Sequence, residues 1–133
     1  MGEYLGPLPP ILQELGAALV EARLIRASPE QAIVQEYLAG QSIAAHTDLP
    51  AFGPDIVSVS LGQRSVIVFT HPARPKFTHL LEPRSALALS GPARTEWKHA
   101  IPGRKTDPRT GAPFTRRLSI TFRTVPSVTA LPR

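Results

Sequence analysis

His46-Thr47-Asp48 places an imidazole and a carboxylate two residues apart, just after a short strand pattern at 42–46. In an extended segment, residues i and i+2 project to the same side, so both groups face one point. A second imidazole from a later strand would complete two His and one carboxylate on one face of a metal. That set leaves the remaining positions open, which suits a non-haem Fe(II) that must also take a cosubstrate and O2. His99, in Trp97-Lys98-His99 after a Gly91-Pro92 turn, is the candidate third ligand. His71, ahead of Pro72, and His79 compete for that place. The plainer alternative is a turn in which Asp48 caps local backbone, with His99 packed as an ordinary histidine.

A second constellation lies near the C-terminus. Arg117, Ser119, Thr121 and Arg123 alternate with Leu118, Ile120 and Phe122. This is a strand with one polar and one apolar face. At about 3.3 Å per residue the two arginine Cα atoms sit roughly 20 Å apart. Guanidinium groups leaning inward from that spacing approach the span of a five-carbon dicarboxylate. The planar fork of arginine pairs bidentately with carboxylate. The alternative is a solvent-facing edge strand guarded by arginine against aggregation.

These residues need a scaffold, and length and composition bound it. The chain has 133 residues, 42% hydrophobic, with 15 Lys+Arg against 10 Asp+Glu and a formal charge of +5. That is enough for one domain with a core. The absence of cysteine excludes disulfide scaffolds, thiolate zinc sites, iron–sulfur clusters and cysteine nucleophiles. No apolar run approaches the roughly 18 residues a membrane helix needs. The lead MGEYLGPLPP has neither a basic nor an apolar signal region. A cytoplasmic monomer without membrane contact is expected.

Pro9-Pro10 opens an amphipathic helix on Leu12, Leu15, Leu19 and Ala22, expected to end near Ala27, before Ser28-Pro29. Short β-branched or apolar segments follow at 31–38, 42–46, 55–61, 65–70, 76–81, 85–90, 97–101 and 116–125. About eight strands at this spacing point to a barrel or a double-sheet jelly roll. Pro102–Arg116 reads as a long mobile basic loop carrying Arg104, Lys105 and Arg109. The expected organisation is a single domain over 1–133, with lead and helix at 1–29, a jelly-roll core at 30–125 and a tail at 126–133.

The ordered set QEYLAGQSIAAHTD, DIVSVSLG, SGPARTEWKHAIPGRK and RRLSITFRTV resembles the AlkB-like branch of the Fe(II)- and 2-oxoglutarate-dependent dioxygenases. The resemblance implies a mainly β fold, the double-stranded β-helix or jelly roll, with one N-terminal helix. It implies that His46, Asp48 and His99 hold Fe(II). Arg117 with Ser119 matches the site for the distal carboxylate of 2-oxoglutarate, and Arg123 matches a second arginine near its keto-acid end. Tyr37 matches a tyrosine that hydrogen-bonds the cosubstrate. Gln35 stands where the family commonly has a cosubstrate-contacting Asn. Trp97 and Arg94 flank the last ligand, Trp97 as packing and Arg94 in either a structural or a functional role.

The implied chemistry couples O2 and 2-oxoglutarate to hydroxylation of a C–H bond, and an N-methyl group hydroxylated in this way leaves as formaldehyde. The leading expectation is therefore an oxidative demethylase of N-methylated bases in single-stranded DNA or RNA. Pro50 replaces a carboxylate that reads the base in some members. Only 45 residues precede His46, with Tyr4 the sole aromatic before Tyr37, so the nucleotide lid is minimal or the chain is a shortened relative. Two alternatives stand beside this expectation. One is an oxygenase acting on a protein, a tRNA base or a small molecule. The other is a jelly-roll binding module without turnover.

Overall fold

The computed structural model describes residues 6–125. The expected tail at 126–133 and Tyr4 lie outside them. Helix α1 (Pro10–Glu21) precedes strands β1 (Gln31–Leu38), β2 (Ile43–His46), β3 (Ile56–Gly62), β4 (Ser65–His71), β5 (Arg74–Leu81) and β6 (Ser85–Leu89). A short helix α2 (Gly91–Thr95), then β7 (Lys98–Ile101) and β8 (Arg116–Arg123), complete the order.

The eight strands form two four-stranded sheets, ordered β1-β8-β3-β6 and β2-β7-β4-β5. Every pairing is antiparallel. This is the jelly roll expected from strand spacing. One apolar cluster, including Tyr37, Ile56, Ile67, Phe69 and Ile101, fills the space between the sheets. A second lies behind the first sheet. There Leu19 and Ile25 cover Val57, Val59, Ile120 and Phe122. Val57 and Phe122 are fully buried, worth about 1.5–3 kcal/mol each. Helix α1 thus closes the outer face of the sheet that carries the arginine strand.

Three expectations are corrected. The helix stops at Glu21, not near Ala27. Arg23 turns left-handed at φ 62, its N–H donating to the Val20 carbonyl, while the Leu24 N–H donates to the Leu19 carbonyl. That pair of bonds is a Schellman cap, in which arginine holds the place glycine usually takes. Gly91-Pro92 opens a short helix rather than a turn, which leaves Trp97 just ahead of β7.

The third correction concerns the basic loop, which is stapled rather than free. The Asp107 carboxylate accepts from the Arg109 and Thr110 N–H groups at 2.8 and 3.0 Å, from Gln63 Nε2 at 2.6 Å and from Arg64 at 2.9 Å. A Cβ on Gly103 would stand 2.4 Å from the Gly40 carbonyl oxygen, so only glycine permits that approach.

Candidate functional site

β8 lies between β1 and β3, and both its faces are used. Ile120 and Phe122 point to the helix side. Arg117, Ser119, Thr121 and Arg123 line a cavity of about 230 Å³ between the sheets. Arg117 is 1% exposed. Its Nη2 donates to Ser60 Oγ at 2.9 Å, and its guanidinium carbon stands 5.1 Å from the centre of the Tyr37 ring. Nε and Nη1 are buried without a hydrogen-bond partner among the described residues. Burial pushes the guanidinium pKa down, and Tyr37 opposes that shift. An arginine still keeps its charge in protein. This cavity therefore holds a buried cation with unused donors, a fit for a carboxylate.

Gln35 and Tyr37 on β1 line the same cavity, and the Tyr37 hydroxyl donates to Gln35 Oε1 at 3.1 Å. Arg123 does not lean toward Arg117. Its Nε donates to Gln31 Oε1 at 2.8 Å, and the two residues face each other across β1 and β8. Its Nη1 lies 3.6 Å from Asp48 Oδ1, and its guanidinium lies 3.8 Å from the centre of the Phe52 ring. Burial lowers the Arg123 pKa while the Asp48 charge raises it.

The other sheet supplies the nitrogen donors. His46 on β2 pairs directly with His99 on β7. Residues opposed across an antiparallel pair share a face, and these rings lie 4.4 Å apart. His46 Nδ1 contacts the Ala44 carbonyl at 2.9 Å. Nδ1 is thereby the donor, which leaves Nε2 its lone pair. His46 Nε2 lies 3.5 Å from Asp48 Oδ1. One ligand atom each from His46, Asp48 and His99 falls within 4.8 Å of the others, so this group could hold a metal ion. Burial, then the neighbouring His46, lowers the His99 pKa, against the pull of Asp48. A neutral imidazole is the ligating form. Two nitrogens and one carboxylate with open positions match Fe(II).

His71 and His79 are not in that group. His71 Nδ1 accepts from the Ala73 N–H, and its ring packs 5.0 Å from Trp97. His79 is exposed on β5. The 48–53 loop is set by Arg94, which is 3% exposed. It donates to the carbonyls of Asp48 at 2.7 Å, Leu49 at 2.6 Å and Gly53 at 3.2 Å. Gly53 itself takes φ 85, and a Cβ there would meet Thr124 Oγ1 at 2.0 Å. Pro50 opens the turn Pro50–Phe52, which ends under Arg123. Ser60, Gln31 and Phe52 escaped the sequence reading. Only the register of β1 on β8 could have pointed to Gln31, and nothing local marks the other two.

Comparison with known proteins agrees with this geometry. The family described as "2OG-Fe(II) oxygenase superfamily" matches residues 2–123. The tRNA (carboxymethyluridine(34)-5-O)-methyltransferase alkbh8 of Xenopus tropicalis is 38% identical over 103 residues, 77% of this chain and 16% of that protein. Uncharacterized protein L905 of Acanthamoeba polyphaga mimivirus is 34% identical over 123 residues, 89% of this chain and 59% of the viral protein. The chain thus spans only part of the length of these relatives. The solved structure of OsALKBH1 superposes with a TM-score of 0.69 at 19% identity, covering 88% of this chain and 64% of that one, and shares the fold. The chain belongs to the 2OG-Fe(II) oxygenase superfamily, on its AlkB-like branch, whose members use Fe(II), 2-oxoglutarate and O2.

Proposed function

We propose that the chain is an oxidative demethylase that uses Fe(II) and 2-oxoglutarate and acts on N-methylated bases in single-stranded nucleic acid. Residues 30–125 form its catalytic core. The observation that carries the cosubstrate assignment is Arg117, buried with Nε and Nη1 unpartnered among the described residues and lining the cavity that His46, Asp48 and His99 also line. A buried cation with free donors is costly unless a bound anion answers it.

In this reading His46, Asp48 and His99 hold the metal. Arg117 and Ser119 bind the distal carboxylate of 2-oxoglutarate, with Ser60 keeping the guanidinium in place. Tyr37 and Gln35 bound the cosubstrate from β1. Arg123, braced by Gln31 and Phe52, holds the Asp48 carboxylate from behind and meets the keto-acid end. Bound together, Fe(II) and 2-oxoglutarate supply the O2-dependent oxidation of a C–H bond, with succinate and CO2 as coproducts. The apolar lining contributed by Ile56, Ile67 and Leu89 excludes water from that chemistry. The relatives named for tRNA uridine chemistry make a tRNA base the first nucleic-acid substrate to examine.

The test is an anaerobic absorbance titration with Fe(II) and 2-oxoglutarate. A visible metal-to-ligand charge-transfer band is expected in the parent and none in a folded His99→Ala variant. Methylated RNA, DNA and peptides are then compared for formaldehyde and succinate release. No band in folded parent with excess cosubstrate refutes the oxygenase reading. Turnover on peptides but on no oligonucleotide refutes the nucleic-acid substrate.

A further inference from the structure

One row of rings crosses the second sheet from the metal-ligand candidates to its open edge. His46 opposes His99, His99 opposes Phe69, and Phe69 opposes Phe77. Directly opposed residues share a face, so all four rings look toward the site. Phe69 is buried, and Phe77 stacks on it at 4.9 Å with an 18° tilt. Trp97 stands edge-on to Phe77 at 5.2 Å, and His71 lies behind Trp97 at 5.0 Å. Phe77 is nevertheless 49% exposed, because β5 is the last strand of its sheet among the described residues. A ring backed by a second ring and half open to water is a stacking platform.

The charges on β5 itself are all basic. β5 carries Arg74, Lys76 and His79 and no carboxylate, and Lys98 starts β7, beyond β4. Arg74, Lys76 and Lys98 form no ion pair among the described residues. Two acids lie nearby. Glu82 pairs with Arg64 and Arg109, and Glu96 faces His71 at 4.0 Å. An exposed π face beside unpaired cations complements a base and its phosphate, the recognition used for single strands. It does not complement an acidic peptide, which offers charge but no flat ring.

We infer that Phe77 stacks a base flanking the methylated one in a single-stranded nucleic acid, while Arg74 and Lys76 take its phosphates. Two strand spacings separate Phe77 from His99, about 10 Å. That is too far for the reacting base and suits its neighbour. This inference rests on the nucleic-acid reading above, and its aromatic wall comes from Phe77 on β5, Phe69 on β4 and Trp97 just ahead of β7.

The test uses the full chain with Fe(II) and 2-oxoglutarate bound anaerobically, and a fluorescently labelled oligonucleotide in RNA and DNA form. Trp97 is the chain's one tryptophan, so its emission reports directly on the platform. Oligonucleotide binding is expected to quench it. Phe77→Ala is expected to keep the charge-transfer band and bind roughly 5- to 150-fold more weakly by polarisation. Phe77→Tyr, which keeps a ring, restores affinity. Because the π face and the phosphate are common to RNA and DNA, both probes lose affinity alike. Arg74→Ala with Lys76→Ala lowers the slope of log affinity against log salt by about 1.4. A parent that binds with Trp97 emission unchanged, or a Phe77→Ala variant of full affinity, overturns the platform while leaving the nucleic-acid reading intact. A parent that shows the band but binds no oligonucleotide overturns both the platform and that substrate, and leaves the oxygenase standing.

Discussion

Replacing Arg117 with methionine separates ligand binding from folding. The guanidinium is 1% exposed, with one bond to Ser60 and the Tyr37 ring beside it. Losing these costs about 2–4 kcal/mol. The same change removes two nitrogens that are buried without partners, each costing about 1–3 kcal/mol. At mid-range, about 3 lost against about 4 relieved, the two effects cancel to about 1 kcal/mol, so Arg117→Met leaves the unliganded protein about as stable as the parent. Binding of 2-oxoglutarate behaves differently. Two charge-assisted bonds at about 1.5–3 kcal/mol each vanish, which weakens it roughly 10²- to 10⁴-fold.

Thermal unfolding under anaerobic Fe(II), with and without cosubstrate, reads both quantities. At a cosubstrate concentration 100 times the parent's Kd, binding adds about 2.7 kcal/mol, on the order of 10 °C in a domain of this size. The variant is expected to shift by less than about 2 °C at the same concentration. If Arg117→Met lowers the unliganded Tm by more than about 10 °C, the two nitrogens are not a native-state burden. If the variant keeps the full cosubstrate shift, Arg117 is not the anion site.

Arg94→Met orphans the carbonyls of Asp48, Leu49 and Gly53. It is expected to cost about 2–5 kcal/mol in urea unfolding and to weaken Fe(II) more than cosubstrate. Arg94→Lys recovers only part of this, since an ammonium cannot reach three carbonyls in a planar fork. Burial pushes the Asp107 pKa up, but the bonds from Arg109, Thr110, Gln63 and Arg64 hold it well below the usual carboxylate range. A depressed folded pKa stabilises above the unfolded value and is lost as pH falls. The Tm gap between parent and Asp107→Asn is thus expected to be full at pH 7, to start narrowing only below about pH 4 and to vanish as pH falls through the depressed folded value. Gly53→Ala must distort the ligand loop, because φ 85 and Thr124 both oppose a Cβ. A loss of about 1–3 kcal/mol, with a weakened charge-transfer band, would show it.

β8 was legible because its polar and apolar residues alternate. In β8 Arg117, Ser119, Thr121 and Arg123 face the cavity and Ile120 and Phe122 face the helix, as period-two spacing predicts. His46 and Asp48 were legible for the same reason, two residues apart at the end of β2. The illegible parts depend on contacts far apart in sequence. Nothing near Arg23 announces a left-handed cap, because the helix ends where Ile25 must turn into the core. Basic composition made the 102–116 loop look free, yet its order comes from one acid, Asp107, reaching Gln63 and Arg64 on another hairpin. Arg123 read as a partner of Arg117. Its direction was decided by Gln31, Phe52 and Asp48, on three other segments.

The division of labour between the sheets explains why such a short set of residues suffices. The first sheet buries Arg117 on its inner face, against Ser60 and Tyr37, and a buried cation discriminates strongly for an anion. The second sheet has no helix among the described elements packed on it as α1 packs on the first, and its last strand ends in an exposed edge. Its imidazoles therefore lie between a dry anion pocket and an open surface. Arg123 spans the two, reaching from β8 to the Asp48 carboxylate. On the proposed function, a cosubstrate held by the first sheet and a substrate approaching along the second would meet at His46, Asp48 and His99. For this reason substitutions on β8 should alter cosubstrate affinity without changing which substrate is taken, and substitutions on β5 should do the reverse.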